Sequence, residues 1–91
     1  MTKSIMQEDR SKCFICGSMR DIEEHHCWTA FNRKHSTEDG LVVSLCRRCH
    51  ADLHDHGTMY RELKAEAQRK WMKYYGKTKE DFIKRYGKAA E

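Results

Sequence analysis

Two cysteine pairs, Cys13-x2-Cys16 and Cys46-x2-Cys49, stand on either side of residues 17–45 in a chain of 91 residues that holds five cysteines and six histidines. Two thiols at that spacing belong to one tight turn, with Gly17 free to take the positive φ such a turn wants. Four thiolates form the closed tetrahedral set of soft ligands that Zn2+ takes at a structural site. With those four used, His25-His26 and His50-x3-His54 remain. Residues i and i+4 lie on one face of a helix about one turn apart, so two imidazoles can reach a single metal ion. A doublet on a strand points its rings to opposite sides unless the backbone bends. One ring can then join His50 and His54 at a metal while the other stands free as a base. Three nitrogen ligands with an open position are the pattern of a catalytic metal, and a closed set of four that of a structural one. Cys46-Arg-Arg-Cys49-His50 also fits covalent c-type haem, but that chemistry needs export and leaves Cys13 and Cys16 without work.

These groups need elements to position them. Residues 1–12 are polar and without periodicity, and are expected as a flexible lead-in. Ile22 to Thr29 reads as a half-buried strand and the loop after it. Residues 32–40 have turn composition and end in Gly40, so they read as a connection. Leu41-Val-Val-Ser-Leu45 reads as a second strand, and a helix is expected from Cys49 to a stop at Gly57. Tyr60, Leu63, Ala67, Trp71 and Tyr74 fall at spacings of three and four, the apolar stripe of a helix ending at Gly76. Thr78 and Asp81 resemble a capping box that opens a last helix through Phe82, Ile83 and Tyr86. The expectation is a small α+β fold: lead-in 1–12, a zinc-stapled ββα core over 13–57, and basic amphipathic C-terminal helices over 58–91 packing on it.

Composition agrees with a need for a metal. Hydrophobic residues make up 38% and charged residues 35%, a thin core for a domain that buries only about 60–65% of its unfolded surface. A large multi-layer enzyme is excluded. No signal-peptide pattern and no membrane-length apolar run is visible, so a cytoplasmic, reducing compartment and no membrane partner are expected. There, cysteines at metal spacing are ligands rather than disulfides. Residues 1–60 hold 8 Lys+Arg against 9 Asp+Glu, and residues 61–91 hold 10 against 5. A basic tail suits an anionic partner such as DNA, or is simply a solvated helical face. Arg33, Lys34, Arg47 and Arg48 are candidate phosphate contacts. Trp28 and Trp71 fit the core better than a base-stacking role, Cys27 reads as a small buried hydrophobe, and His35 and His56 as surface residues.

Cys13, Cys16, His25-His26, Leu45-Cys46-Arg-Arg-Cys49-His50 and His54 together resemble the HNH endonucleases of the ββα-metal, or His-Me finger, superfamily in its zinc-bearing form. The resemblance covers about residues 13–56. The rest of the chain looks like small HNH-type proteins of bacteriophages and prophages, which implies a bacterial host cytoplasm and a phage or host partner protein. The resemblance implies a metal-dependent DNA endonuclease. His26 would be the general base, and His25, His50 and His54 would hold a divalent metal. Histidine ligands suit Zn2+, Ni2+ or Mn2+ better than Mg2+, which prefers oxygen. The chain departs from the family at its central asparagine. The corresponding position, about nine residues before His50, is Leu41, with Asp39 and Gly40 beside it and Asn32 the only asparagine in the sequence. The alternative reading is a non-catalytic zinc module that binds nucleic acid or a protein.

Overall fold

β-Branched and aliphatic residues from Val42 to Cys46 form a strand buried at every position. In a computed structural model that describes residues 3–91, this strand (β2) pairs antiparallel with β1 (Ile22–His26). The register runs from Ile22 opposite Cys46 to His26 opposite Val42. Helix α2 (Arg47–His56) follows β2 directly. It starts earlier than the expected Cys49, because the Cys46 sulfur caps it by accepting from the Cys49 N–H. Gly57 ends it in the left-handed conformation. Helices α3 (Tyr60–Tyr75) and α4 (Lys79–Tyr86), with α1 (Arg33–Asp39), complete a small α+β fold with one two-stranded antiparallel sheet and four α-helices among the described residues. Both halves of the Thr78/Asp81 capping box are present at the start of α4.

Residues 32–40 are not an open connection. A 3-10 turn (Ala30–Asn32) runs into helix α1 (Arg33–Asp39), which Gly40 ends at φ 78. Seven polar residues carry no apolar stripe, so periodicity could not reveal this helix. Tertiary contacts hold it instead. Asp39, 8% exposed, accepts from Trp71 Nε1 at 2.8 Å, from Tyr86 Oη at 2.8 Å, and from Arg85 Nε at 2.5 Å. With one charge-assisted and two neutral donors on its Oδ2, the buried carboxylate is hydrogen-bonded, which offsets the desolvation cost of its burial.

The expected flexible lead-in packs on the sheet instead. Residues 3–12 lie along the open edge of β2 rather than loose. Ser4 Oγ donates to the Val42 carbonyl at 2.6 Å, and the Ser44 N–H donates to Gln7 Oε1 at 2.8 Å. Phe14 N–H donates to the Ser44 carbonyl at 2.7 Å. Side chains and a turn thus take up edge groups that a third strand would otherwise pair. Met6 is buried against the core. A Cβ on Gly40 would stand 3.1 Å from the Ile5 nitrogen and the Lys3 carbonyl, so glycine serves there for close approach as well as for φ. Residues 1 and 2 of the expected lead-in lie outside the described residues.

The core is centred on Trp28, Leu41, Leu45, Leu53, Leu63, Trp71 and Phe82, all at most 3% exposed. Phe82 packs edge-on to Trp28 and Trp71 at ring separations of 5.1 and 5.2 Å. Such pairs contribute about 0.5–1.5 kcal/mol beyond their buried area. Both tryptophans are therefore core residues. The expected stripe of α3 is buried at Leu63, Ala67 and Trp71, but its ends, Tyr60 and Tyr74, are exposed. His35, expected at the surface, is half-buried with its ring 5.7 Å from that of Tyr86.

Candidate metal centres

The two cysteine turns meet at one end of the sheet. Cys13 and Cys16 lie in the turn before β1, Cys46 ends β2, and Cys49 sits in the first turn of α2. All four sulfurs lie within 4.8 Å of one another. Cys16 Sγ and Cys46 Sγ are 3.7 Å apart. Four sulfurs about 2.3 Å from a tetrahedral ion stand about 3.8 Å apart, so the donor set fits Zn2+. Backbone N–H groups already point at the sulfurs: Cys16 N to Cys13 Sγ at 3.5 Å and Cys49 N to Cys46 Sγ at 3.4 Å. Burial works against ionisation of Cys13, yet the N–H groups of Cys16, Cys46 and Ile15 bring its thiol down to about 6. Burial and the neighbouring thiols push Cys49 up. Without a cation, negative charge on one sulfur opposes charge on the next; four thiolates at this separation call for a divalent ion. Cys27 stands apart, 2% exposed, its thiol pushed up to about 12 by burial and inert as a nucleophile or ligand.

The second cluster lies where β1 faces α2. Strand period places Glu23 and His25 on one face of β1 and sends His26 to the other side of the chain. Helix period places His50 and His54 together, and their Nε2 atoms are 3.1 Å apart. His25 packs edge-on to both rings, at 5.2 and 5.9 Å. One nitrogen from each of the three lies within 4.8 Å of the others. Two nitrogens on a tetrahedral ion about 2.0–2.1 Å away stand about 3.3 Å apart, so this set fits a divalent transition metal as well. Burial, then the nearby His50 and His54, lowers His25 to about 4, which keeps it neutral and able to donate a lone pair. His50 Nδ1 is 2.8 Å from Glu23 Oε1. That contact fixes the proton on Nδ1 and leaves the Nε2 lone pair for the cluster, the usual second partner of a ligating imidazole. The hydrogen bond from His50, and less so that from Arg47, holds the Glu23 carboxyl below its ordinary range.

The cluster is open. Glu24, His25, His26, Thr29, Arg33, His50 and His54 line a cavity of about 450 Å3. His26 Nε2 lies 3.0 Å from Thr37 Oγ1. Thr37 spends its own proton on the Arg33 carbonyl at 3.0 Å, so it accepts from His26 Nε2–H and the lone pair of His26 falls on Nδ1. Burial, then Arg33, lowers the His26 pKa, which favours the neutral ring. The segment after His26 is tied down from α1. Ser36 Oγ accepts from the Trp28 N–H at 3.1 Å and donates to the Leu41 carbonyl at 3.3 Å. Leu41 itself is fully buried, and its carbonyl also accepts from Cys27 N–H at 3.0 Å.

The structure thus brings His25, His26, His50, His54 and Arg33 to one cavity, and Cys13, Cys16, Cys46 and Cys49 to one cluster. Arg47 and Arg48 line a separate hollow of about 210 Å3 beside Cys16 and Cys46, and Arg47 pairs with Glu23 at 3.5 Å. Lys34 is exposed and is not among the residues lining either hollow. His56 turns to Asp52 at 3.1 Å. Glu23, Ser36 and Thr37 join these groups beyond the residues that spacing predicts. Strand alternation from His25 points to Glu23, whereas Ser36 and Thr37 lie in a polar segment that carries no helical periodicity. Comparison with protein-family models, curated proteins and solved structures found no match to this chain.

Proposed function

We propose that the chain is a metal-dependent DNA endonuclease with an HNH-type ββα-metal core, in which His25, His50 and His54 hold a divalent metal and His26 is the general base. The observation that carries this reading is the convergence of three imidazoles within 4.8 Å at an open cavity that His26 and Arg33 also line. A closed structural site has no reason to leave a fourth, neutral imidazole and a cation at its mouth. Held by His25, His50 and His54, a divalent cation would supply charge neutralisation for the scissile phosphate and its leaving oxygen. His26, neutral and holding its lone pair on Nδ1, takes the proton from the attacking water. Thr37 orients that ring through Nε2. Arg33 draws the phosphate to the cavity, a sequence-independent attraction. Glu23 keeps the His50 proton away from the metal-facing nitrogen.

Leu41, where the family carries an asparagine, offers no polar side chain, and this favours the second reading: a zinc-stapled module that binds nucleic acid or a protein without cutting. Against it stands Ser36, whose hydroxyl tethers the backbone after His26 from the neighbouring helix and does the work expected of that asparagine.

The test is nicking of supercoiled plasmid by the zinc-loaded chain with Mg2+, Mn2+, Ni2+ or Zn2+ added in turn. Metal-dependent nicking that falls about 10^2- to 10^4-fold in His26→Ala, at unchanged zinc content, supports the endonuclease. No nicking with any metal, on plasmid or branched DNA, selects the binding module.

A further inference from the structure

The rim of the histidine cavity carries a feature the cleavage chemistry does not use. Phe31 is 98% exposed at the centre of the 3-10 turn that follows β1. Its turn is tethered, with Asn32 N–H donating to the Thr29 carbonyl at 3.0 Å and Asn32 Nδ2 to the Tyr86 carbonyl at 2.9 Å. Ala30 holds φ 56, a left-handed conformation that alanine adopts at a cost. A large apolar ring held out in solvent on a fastened, strained turn adds nothing to the core.

Thr29 and Ala30 line the histidine cavity on one side. On the other they join Phe31, Tyr60, Lys64 and Lys88 around a groove of about 360 Å3. Lys64 Nζ lies 4.4 Å from the Trp28 ring centroid and 5.2 Å from that of Tyr60. Arg61 and Lys88 line the adjoining hollow. No carboxylate lines either one, in a chain with 14 Asp and Glu.

We propose that this groove binds single-stranded DNA, an unpaired base stacking on Phe31 while Arg61, Lys64 and Lys88 take the flanking phosphates and the strand passes over Thr29 and Ala30 into the histidine cavity. Only the strand's destination rests on the endonuclease reading. Aromatic rings between cations are the pattern of single-strand grooves, where stacking is tolerant of sequence and the backbone follows the positive charge. Base faces inside a duplex are covered by their neighbours, so an exposed ring gains stacking only from an unpaired base. A protein partner would ask for an apolar patch poor in lysine, whereas two exposed rings alternate here with three cations.

The test is equilibrium binding of fluorescent dT12, and of a 12-base-pair duplex, to the zinc-loaded chain with no other divalent metal added. Binding of dT12 tighter than the duplex is expected, with a loss of roughly 10-fold or more in Phe31→Ala and recovery in Phe31→Trp. Because Phe31 is exposed, both variants retain zinc content and melting temperature. Lys64→Gln with Lys88→Gln is expected to flatten the salt dependence of dT12 binding. Equal binding of dT12 by wild type and Phe31→Ala overturns the proposal, as does preference for the duplex. So does a Phe31→Ala change that only turns a dimer into a monomer in sedimentation. Single-strand binding through Phe31 in a chain that cuts nothing with any metal would sink the endonuclease reading alone. Plasmid nicking with no Phe31-dependent dT12 binding would sink this one alone.

Discussion

Helix α2 serves two clusters of opposite character: Cys49 in its first turn joins the thiols, while His50 and His54 face the imidazoles. The thiol cluster takes its four donors from both ends of the sheet-forming segment, with Cys13 and Cys46 buried and Cys16 exposed, and its four sulfurs match a closed tetrahedral set. The imidazole cluster offers three donors and opens onto a cavity that His26 and Arg33 also line. Donor number is what separates them: four donors close a tetrahedral set, whereas three leave one position of such a set unfilled by protein. Adjacent residues on one helical turn reach both, because successive side chains project about 100° apart around the axis.

Substitution of one donor in each cluster separates the two most sharply. Cys49→Ser is expected to abolish the cooperative thermal transition along with zinc content, since structural zinc contributes on the order of 10–16 kcal/mol in small domains. His54→Ala, exposed and at the cavity, should leave zinc content and melting intact while removing metal-dependent nicking; circular dichroism and plasmid assays together check both. A melting transition that survives Cys49→Ser would sink the division of labour. Next in size, Glu23→Gln should weaken metal binding at the imidazoles by about 10- to 100-fold, read by calorimetric titration of Mn2+ or Ni2+ into the zinc-loaded chain. Unchanged affinity would show that His50 does not need its carboxylate partner.

Thr37→Val should cut the nicking rate several-fold with metal affinity unchanged, and Thr37→Ser should restore it. Ring 15N spectra of His26 would show the Nε2–H tautomer lost in the valine variant and kept in the serine one. The smallest effect is expected of Arg33→Gln, which should lower the slope of DNA affinity against salt by about 1 with little change in stability. A slope equal to wild type would place the phosphate elsewhere than at this cavity.

Much of this molecule follows from local rules that a sequence states outright. The two C-x2-C turns, the i, i+4 histidines, the stops at Gly57 and Gly76, and the Thr78/Asp81 box each depend on residues within a few positions of one another, and the structure places each as its spacing requires. Tertiary contact decided the rest. A polar seven-residue helix has no periodic apolar face, and α1 exists because Asp39 meets Trp71, Arg85 and Tyr86, residues 32 to 47 positions away. The lead-in has no core-forming pattern, yet it is held where the free edge of β2 offers unpaired backbone groups to Ser4 and Gln7. The partners of the histidines, Glu23 for His50 and Thr37 for His26, are likewise joined across 27 and 11 residues by the pairing of β1 with β2 and the packing of α1 and α2. Spacing along the chain therefore chose the donors. Which proton each imidazole keeps, and which face it opens to solvent, depended on neighbours that only the folded chain brings near.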